Sequence, residues 1–168
     1  GTVSLAESFI NTSKGINSIT LPYTLRILGK ESLKNAAFTS IDLPESLEKI
    51  GEGAFAAGDG GSSNLRRITI PKNVKIIESG AFYGTPLVRV YYNAVDANNE
   101  YVEHTDGTSA YERIFPESVT RIIIGEGVKS ITQSVFRECK NITRVEMSRT
   151  VESIGDYEFA GCTSLHHL

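Results

Sequence analysis

Hydrophobic positions recur along this chain at a fixed interval of about 22 to 23 residues. Equivalent apolar positions are Ile16, Ile19, Leu21, Leu25 and Leu28; Phe38, Ile41, Leu43, Leu47 and Ile50; Leu65, Ile68, Ile70, Val74 and Ile77; Val119, Ile122, Ile124, Val128 and Ile131; and Ile142, Val145, Met147, Val151 and Ile154. One such unit cannot bury its own apolar residues, so each must pack on its neighbours. The sequence therefore predicts a repeat solenoid.

Each unit contains one short stretch in which apolar and polar residues alternate. These stretches lie near residues 19–21, 41–43, 68–70, 90–92, 122–124 and 145–147. Alternation with a period of two is typical of a strand with one buried face. Because all units follow the same path, we expect a curved stack with a parallel sheet of about six short strands on one face, and turns with short helical pieces on the other. Proline follows three of the stretches, where a residue without an N–H can end the ladder.

The units also share a closing pair in which the second residue is usually phenylalanine. These pairs are Ser32-Leu33, Ala54-Phe55, Ala81-Phe82, Val135-Phe136 and Glu158-Phe159. Together with the strand pattern, they make residues 16–168 resemble the BspA-like (Treponema pallidum type) leucine-rich repeat, with the pattern LxxIxIPxxVxxIxxxAFxxC. The resemblance implies an α/β-type leucine-rich repeat solenoid. We expect it to span residues 1–168 as a segment of a longer protein, because the chain begins and ends within a unit. It also implies a surface protein, bacterial rather than protist, that contacts host or matrix.

Composition and charge narrow the choice of partners. The chain has 17 Lys and Arg against 20 Asp and Glu, a net charge of -3, which argues against a nucleic-acid binder with a broad basic surface. No apolar run approaches the roughly 18 residues that a membrane span requires. Neither a metal-binding nor a cofactor-binding pattern is present, and no nucleophile, base and acid recur in a catalytic arrangement, so we expect no enzyme activity.

Candidate binding residues lie on the outward side of the predicted strands. If Ile68 and Ile70 face the core, Arg67 and Thr69 face solvent, and the same parity holds in every unit. The outward residues that we expect to bind ligand are Arg67, Arg89, Tyr91, Arg121, Ile123, Arg144 and Glu146. Stacked arginines repel one another unless an anion neutralises them, which favours an anionic ligand. The alternative is that these side chains pair with Glu146 and only keep the sheet soluble.

An irregular acidic insert occupies about residues 93–113, between the strands of Arg89 and Arg121. Its charged residues are Asp96, Glu100, Glu103, Asp106, Glu112 and Arg113. The sequence allows two locations for this insert. In one, it lies near the arginines and either competes with an acidic ligand or forms the rim of its site; in the other, it is solvated on the opposite edge.

Two cysteines, Cys139 and Cys162, follow the closing phenylalanine of successive units and should stack. The family pattern implies two buried free thiols that pack as small hydrophobic groups.

The leading hypothesis is an extracellular or cell-surface recognition and adhesion module that binds a host or matrix protein or an acidic glycan through the strand face. The alternative is a structural spacer or an intracellular interaction scaffold with no ligand on that face. The open ends of the stack also allow end-to-end self-association.

Overall fold

The computed structural model describes residues 3–9, 16–58, 63–95, 97, 113–132 and 134–168. Within these ranges the chain forms a parallel-strand β-solenoid of about five turns, without a helix. The strands are β1 (Val3–Leu5), β2 (Leu25–Leu28), β3 (Lys49–Ile50), β4 (Arg67–Ile70), β5 (Ile76–Ile77), β6 (Arg89–Tyr92), β7 (Arg121–Ile124), β8 (Ser130–Ile131), β9 (Arg144–Glu146) and β10 (Ser153–Ile154). Every strand pair is parallel, as the repeat pattern predicts.

The strands form two rows along the solenoid. The first row is a four-stranded sheet with the order β4-β6-β7-β9. The second row consists of a four-stranded sheet, β1-β2-β3-β5, and a two-stranded sheet, β8-β10. Consecutive strands such as β4 and β5 therefore belong to different sheets, because the chain turns a corner between them.

Four of the six predicted strands are confirmed, and two predictions are wrong. Residues 19–21 and 41–43 lie outside the strands, although Leu21 and Ile41 are buried while Thr20 and Asp42 are exposed. The alternation correctly predicted the inward side of each stretch, although Ile19 and Leu43 are only half-buried. A ladder also requires the N–H and C=O groups of adjacent turns to lie within hydrogen-bonding distance, and alternation does not specify that distance.

The second row of strands was not predicted from the sequence. Its members are mostly two residues long, as in β3 and β5, and two residues are too few to show alternation.

The corners of the solenoid are turns, so the predicted helical pieces are wrong for the described residues. Backbone N–H groups there donate to carbonyl groups of the next turn, as from Leu33 to Ala54 (2.8 Å) and from Phe55 to Ala81 (2.8 Å). These hydrogen bonds between turns use backbone N–H groups that a helix would need for its own hydrogen bonds. Segments of this length are also too short to offset the cost of helix nucleation.

A stack of phenylalanine rings fills the core behind the corners. Neighbouring rings are 5.2 to 5.7 Å apart between centroids, and their planes are within 18° of parallel. The rings belong, in order, to Phe55, Phe82, Phe115, Phe136 and Phe159. We call these five residues the phenylalanine stack.

Phe115 is the closing phenylalanine of the unit that contains the insert. The sequence pattern is lost between Asn93 and Ile114, so no closing residue was assigned to that unit. Phe115 is fully buried between Phe82 and Phe136. The long interval is therefore an insertion within one turn, after β6 and before the closing ring.

Candidate ligand-binding surface

The side chains of the first row alternate between the core and the surface. In β4, Ile68 and Ile70 are at most 2% exposed, whereas Arg67 and Thr69 are exposed. The strands β6, β7 and β9 follow the same alternation, with their outward residues half-buried or exposed. The outer face of this sheet therefore presents two columns of side chains, as the sequence predicts.

The first column consists of arginines only. The ladder register pairs Arg67 with Arg89, Arg89 with Arg121, and Arg121 with Arg144. Adjacent strands lie about 4.8 Å apart, so the four side chains start from backbone positions at that spacing. We call these four residues the arginine column.

The second column lies beside the first and has a mixed composition. In register order it contains Thr69, Tyr91, Ile123 and Glu146. We call these four residues the mixed column. All seven candidate residues predicted from the sequence therefore lie together on the outer face of one sheet.

Glu146 neutralises one end of the arginine column. Its Oε1 accepts hydrogen bonds from Nε of Arg121 at 2.7 Å and lies 3.0 Å from Nε of Arg144. The Nη2 atom of Arg121 contacts the same oxygen. One carboxylate therefore bridges two successive arginines. These contacts agree, for Arg121 and Arg144, with the alternative hypothesis that the arginines pair with Glu146.

At the other end of the arginine column, no described residue provides such a partner. Arg67 forms no ion pair with the described residues, and Nη1 of Arg89 lies 3.5 Å from the hydroxyl of Tyr91. Nε of Arg89 is buried without an acceptor among the described residues. Leaving a buried donor unpaired costs about 1 to 3 kcal/mol. The free positive charge of this face therefore lies around Arg67 and Arg89.

The second row of the solenoid shows the contrasting arrangement. There, cations and anions of successive turns pair with each other. Examples are Arg26 with Glu48 (2.6 Å), Lys30 with Glu52 (3.1 Å) and Lys129 with Glu152 (3.4 Å). The contact with Glu52 raises the pKa of Lys30. The strands of the first row, all within the described residues, contain four arginines and a single acidic residue, so the excess of positive charge is specific to that face.

His167 continues the arginine column by one further position. It forms a parallel bridge with Arg144, and its carbonyl accepts the N–H of Val145 at 3.0 Å. From the sequence alone, His166 and His167 fit either the start of a strand or a frayed terminus. The repeat interval from Arg144 is the signal that identifies His167 as the next outward residue.

Most of the acidic insert lies outside the described residues, including Asp96 and 98–112. Where the insert rejoins the solenoid, Arg113 forms an ion pair with Glu117, and its Nη1 donates to the carbonyl of Glu138 at 3.2 Å. The Arg113 guanidinium lowers the pKa of Glu117. A position of the insert near the arginine column stays a prediction.

Both cysteines are free thiols. Cys139 is fully buried, and burial raises its pKa to about 12. Cys162 is only half-buried, which corrects the expectation of two buried thiols, and burial again raises its pKa. A raised pKa leaves little reactive thiolate at neutral pH. Both residues therefore contribute to packing.

The described residues were also compared with the requirements of a metal site and of a membrane-spanning helix. No three His, Cys, Asp or Glu side chains come together as a metal site within the described part of the chain. In the same ranges, the chain has no helix with the length and apolar character needed to cross a bilayer.

These features define a parallel β-solenoid repeat protein with an exposed, basic strand face. The model of the BspA type leucine-rich repeat region, with six copies, matches residues 4–103 and 107–168. The chain therefore belongs to the BspA-type leucine-rich repeat family. Repeats of this family generally build binding or scaffold surfaces.

Two solved structures are similar to this chain. One is a leucine-rich repeat protein from Bacteroides ovatus, 18% identical over 97% of this chain and 57% of that chain, with a TM-score of 0.37. The other is a leucine-rich cell surface protein from Faecalibacterium prausnitzii, 18% identical over 98% of this chain and 56% of that chain, with a TM-score of 0.35. The chain thus spans less than two thirds of either protein. No curated protein matches the sequence.

Proposed function

We propose that this chain is a recognition module that binds an anionic protein or glycan through the outer face of the first-row sheet. The contact residues are Arg67, Arg89, Tyr91, Arg121, Ile123, Arg144 and Glu146. The observation that carries the proposal is the register of the arginine column, in which four arginines stand against one carboxylate among the residues that the structure describes.

The electrostatics of the column favour an anionic partner. Like charges about 5 Å apart repel by about 1 kcal/mol even in a medium as polar as water. An anion that binds across two strands removes this repulsion and gains charge-assisted hydrogen bonds. Because Arg67 and Arg89 have no carboxylate contact within the described part of the chain, the gain is available to a partner.

The mixed column supports the same site. Tyr91 and Ile123 lie at its centre, each beside an arginine of the same strand. Aromatic and apolar residues together with arginine are enriched at the centres of interfaces. We place the module outside the cell or on its surface, in a bacterium, with a host or matrix ligand, in keeping with the family.

A charge-reversal variant tests the proposal. Arg89→Glu combined with Arg121→Glu should weaken binding to immobilised heparin and to poly-L-glutamate by at least about a hundredfold, since two charge-assisted contacts become repulsive. Surface plasmon resonance measures the dissociation constants. The matched control is Lys75→Glu with Arg149→Glu, which changes the charge equally at exposed positions outside this face.

The control should stay within about twofold of the unmodified protein, because charges outside the binding face change only the long-range field. Circular dichroism checks that both variants keep the parallel sheet. Equal binding by both variants would reject the first-row face as the site and favour a spacer or scaffold without a ligand there.

A further inference from the structure

The two cysteines occupy equivalent positions in successive turns of the solenoid, each three residues after the closing phenylalanine of its turn. Backbone hydrogen bonds hold these turns together on both sides of the pair. The N–H of Glu138 donates to the carbonyl of Ala160 at 2.7 Å, and the N–H of Ser164 donates to the carbonyl of Lys140 at 3.1 Å. The two cysteines therefore lie opposite each other in adjacent turns.

The spacing of these turns is within the range of a disulfide. Backbone segments that share hydrogen bonds in a ladder lie about 4.8 Å apart. A disulfide joins residues whose Cα atoms are roughly 4.4 to 6.8 Å apart. The closing phenylalanines of the same two turns, Phe136 and Phe159, have ring centroids 5.6 Å apart, which agrees with this spacing. A bond between the cysteines therefore requires little movement of the backbone.

The sulfur of Cys162 is directed toward the neighbouring turn. Its Sγ donates to the carbonyl of Phe136 at 3.2 Å, and the N–H of Cys139 donates to the same carbonyl at 3.4 Å. The Cys162 sulfur therefore lies beside the backbone of Cys139. The Sγ of Cys139 contacts the carbonyl of Phe115 at 3.9 Å. Because a thiol is a weak donor, rotation of the Cys139 side chain toward Cys162 gives up only a weak contact.

We propose that Cys139 and Cys162 form a disulfide under oxidising conditions, and that this bond staples two successive turns of the solenoid. The bond encloses β9 and β10 in a covalent loop. Since β9 carries Arg144 and Glu146, the disulfide restrains one end of the first-row sheet. Formation of the bond requires no ligand on that sheet.

The two thiols differ in their access to solvent, which determines the order of the reaction. Cys162 is half-buried, whereas Cys139 is fully buried. A small-molecule disulfide such as glutathione disulfide therefore reaches the sulfur of Cys162 first. Burial raises the pKa of both thiols, so little thiolate is present at neutral pH and the reaction is slow.

Oxidation proceeds in two exchange steps. The thiolate of Cys162 attacks one sulfur of glutathione disulfide and forms a mixed disulfide, and the first glutathione leaves as a thiolate. The thiolate of Cys139 then attacks Sγ of Cys162 and displaces the second glutathione. The protons of the two cysteine thiols pass to the two glutathione thiolates. Two cysteine thiols are thus oxidised to one disulfide, while one glutathione disulfide is reduced to two thiols.

The first experiment is mass spectrometry of the folded chain after prolonged incubation with glutathione disulfide at mildly alkaline pH. The main product should be lighter than the reduced chain by two hydrogen atoms and should carry no glutathione. Its proteolytic digest should contain a peptide pair linked through Cys139 and Cys162. A chain that stays reduced, keeps bound glutathione or links to a second chain would overturn the disulfide.

Two single variants test the order of the steps. Cys139→Ser should stop at the mixed disulfide and keep one glutathione, because the second thiol is absent. Cys162→Ser should take up glutathione at least about tenfold more slowly than Cys139→Ser, because its remaining thiol is buried. Equal rates of uptake by the two variants would overturn the route through Cys162.

Hydrogen exchange measures the effect of the bond on the enclosed strands. The amides of β9 and β10 should exchange at least about tenfold more slowly in the oxidised chain than in the reduced chain, because the bond restrains local opening of their turn. The amides of β4, which lies outside the loop, should change by less than about twofold and serve as the internal control. Equal exchange of β9 and β10 in both states would overturn the staple.

Discussion

Glu158 occupies a position where the solenoid otherwise places a small or apolar side chain. The equivalent residues before the closing phenylalanine include Ala54 and Ala81, and Glu158 is only 1% exposed. Its Oε1 accepts the N–H of Phe136 at 3.3 Å, while Oε2 is buried without a partner among the described residues. Burial raises the pKa of this carboxyl to about 7, although the backbone N–H groups oppose the shift.

We predict that Glu158 makes the stability of the protein fall as the pH rises. Between about pH 4.5 and 7, the folded chain keeps the proton while the unfolded chain has released it, so raising the pH favours unfolding. The free energy of unfolding should decrease by about 3 kcal/mol across this window and stay constant above it. Urea denaturation at a series of pH values measures the change.

The control for this prediction is Glu158→Gln, which keeps an acceptor for the N–H of Phe136 and cannot ionise. It should remove most of the decrease between about pH 4.5 and 7. A variant that retains the full pH dependence would show that another group is responsible.

The phenylalanine stack is the element that ties the corners of successive turns together. Phe82 is fully buried between Phe55 and Phe115, with centroids 5.2 and 5.3 Å away. Rings at these distances bury large apolar areas and add the energy of aromatic contact. Each turn thus depends on its neighbours for the packing of its own ring.

We predict that Phe82→Ala lowers the free energy of unfolding by about 3 to 5 kcal/mol, because it leaves a cavity that the rings on both sides cannot close. Thermal and urea denaturation measure the loss. Tyr83→Ala is the matched control, since Tyr83 is adjacent in sequence but 69% exposed, and it should change stability by less than about 0.5 kcal/mol. A similar loss in both variants would contradict the role of the stack.

At the scale of the whole molecule, positive charge is concentrated on one face of a chain with a net charge of -3. The second row pairs its charges between turns, whereas the arginine column contacts a single carboxylate in the described ranges. Such a distribution attracts anions locally without making the protein basic overall.

We predict that anion binding weakens strongly as salt is added. Raising the ionic strength from about 0.05 to about 0.3 M shortens the screening length from about 14 to about 6 Å and should lower heparin affinity at least about tenfold. Surface plasmon resonance over a salt series measures the slope. The Arg89→Glu and Arg121→Glu variant should show a much flatter dependence, and an unchanged slope would argue that other cations bind the probe.

The sequence alone predicted the repeat, its parallel strands and the outward columns. This was possible because a period of 22 to 23 residues places equivalent side chains on top of one another, and alternation assigns each to the core or the surface. The seven candidate residues follow from these two facts. Their role in binding stays a prediction.

Only the tertiary structure determined the ladders of the second row, the place of Phe115 in the stack and the ion pairs on each face. Two-residue strands such as β3 are too short to show alternation of apolar and polar residues. The insert interrupts the repeat interval, so the sequence does not show to which unit Phe115 belongs. The pairing of Glu146 with both Arg121 and Arg144 depends on side-chain positions in two adjacent turns. Local sequence determines which face a side chain occupies, whereas contacts between turns depend on how far apart the turns lie.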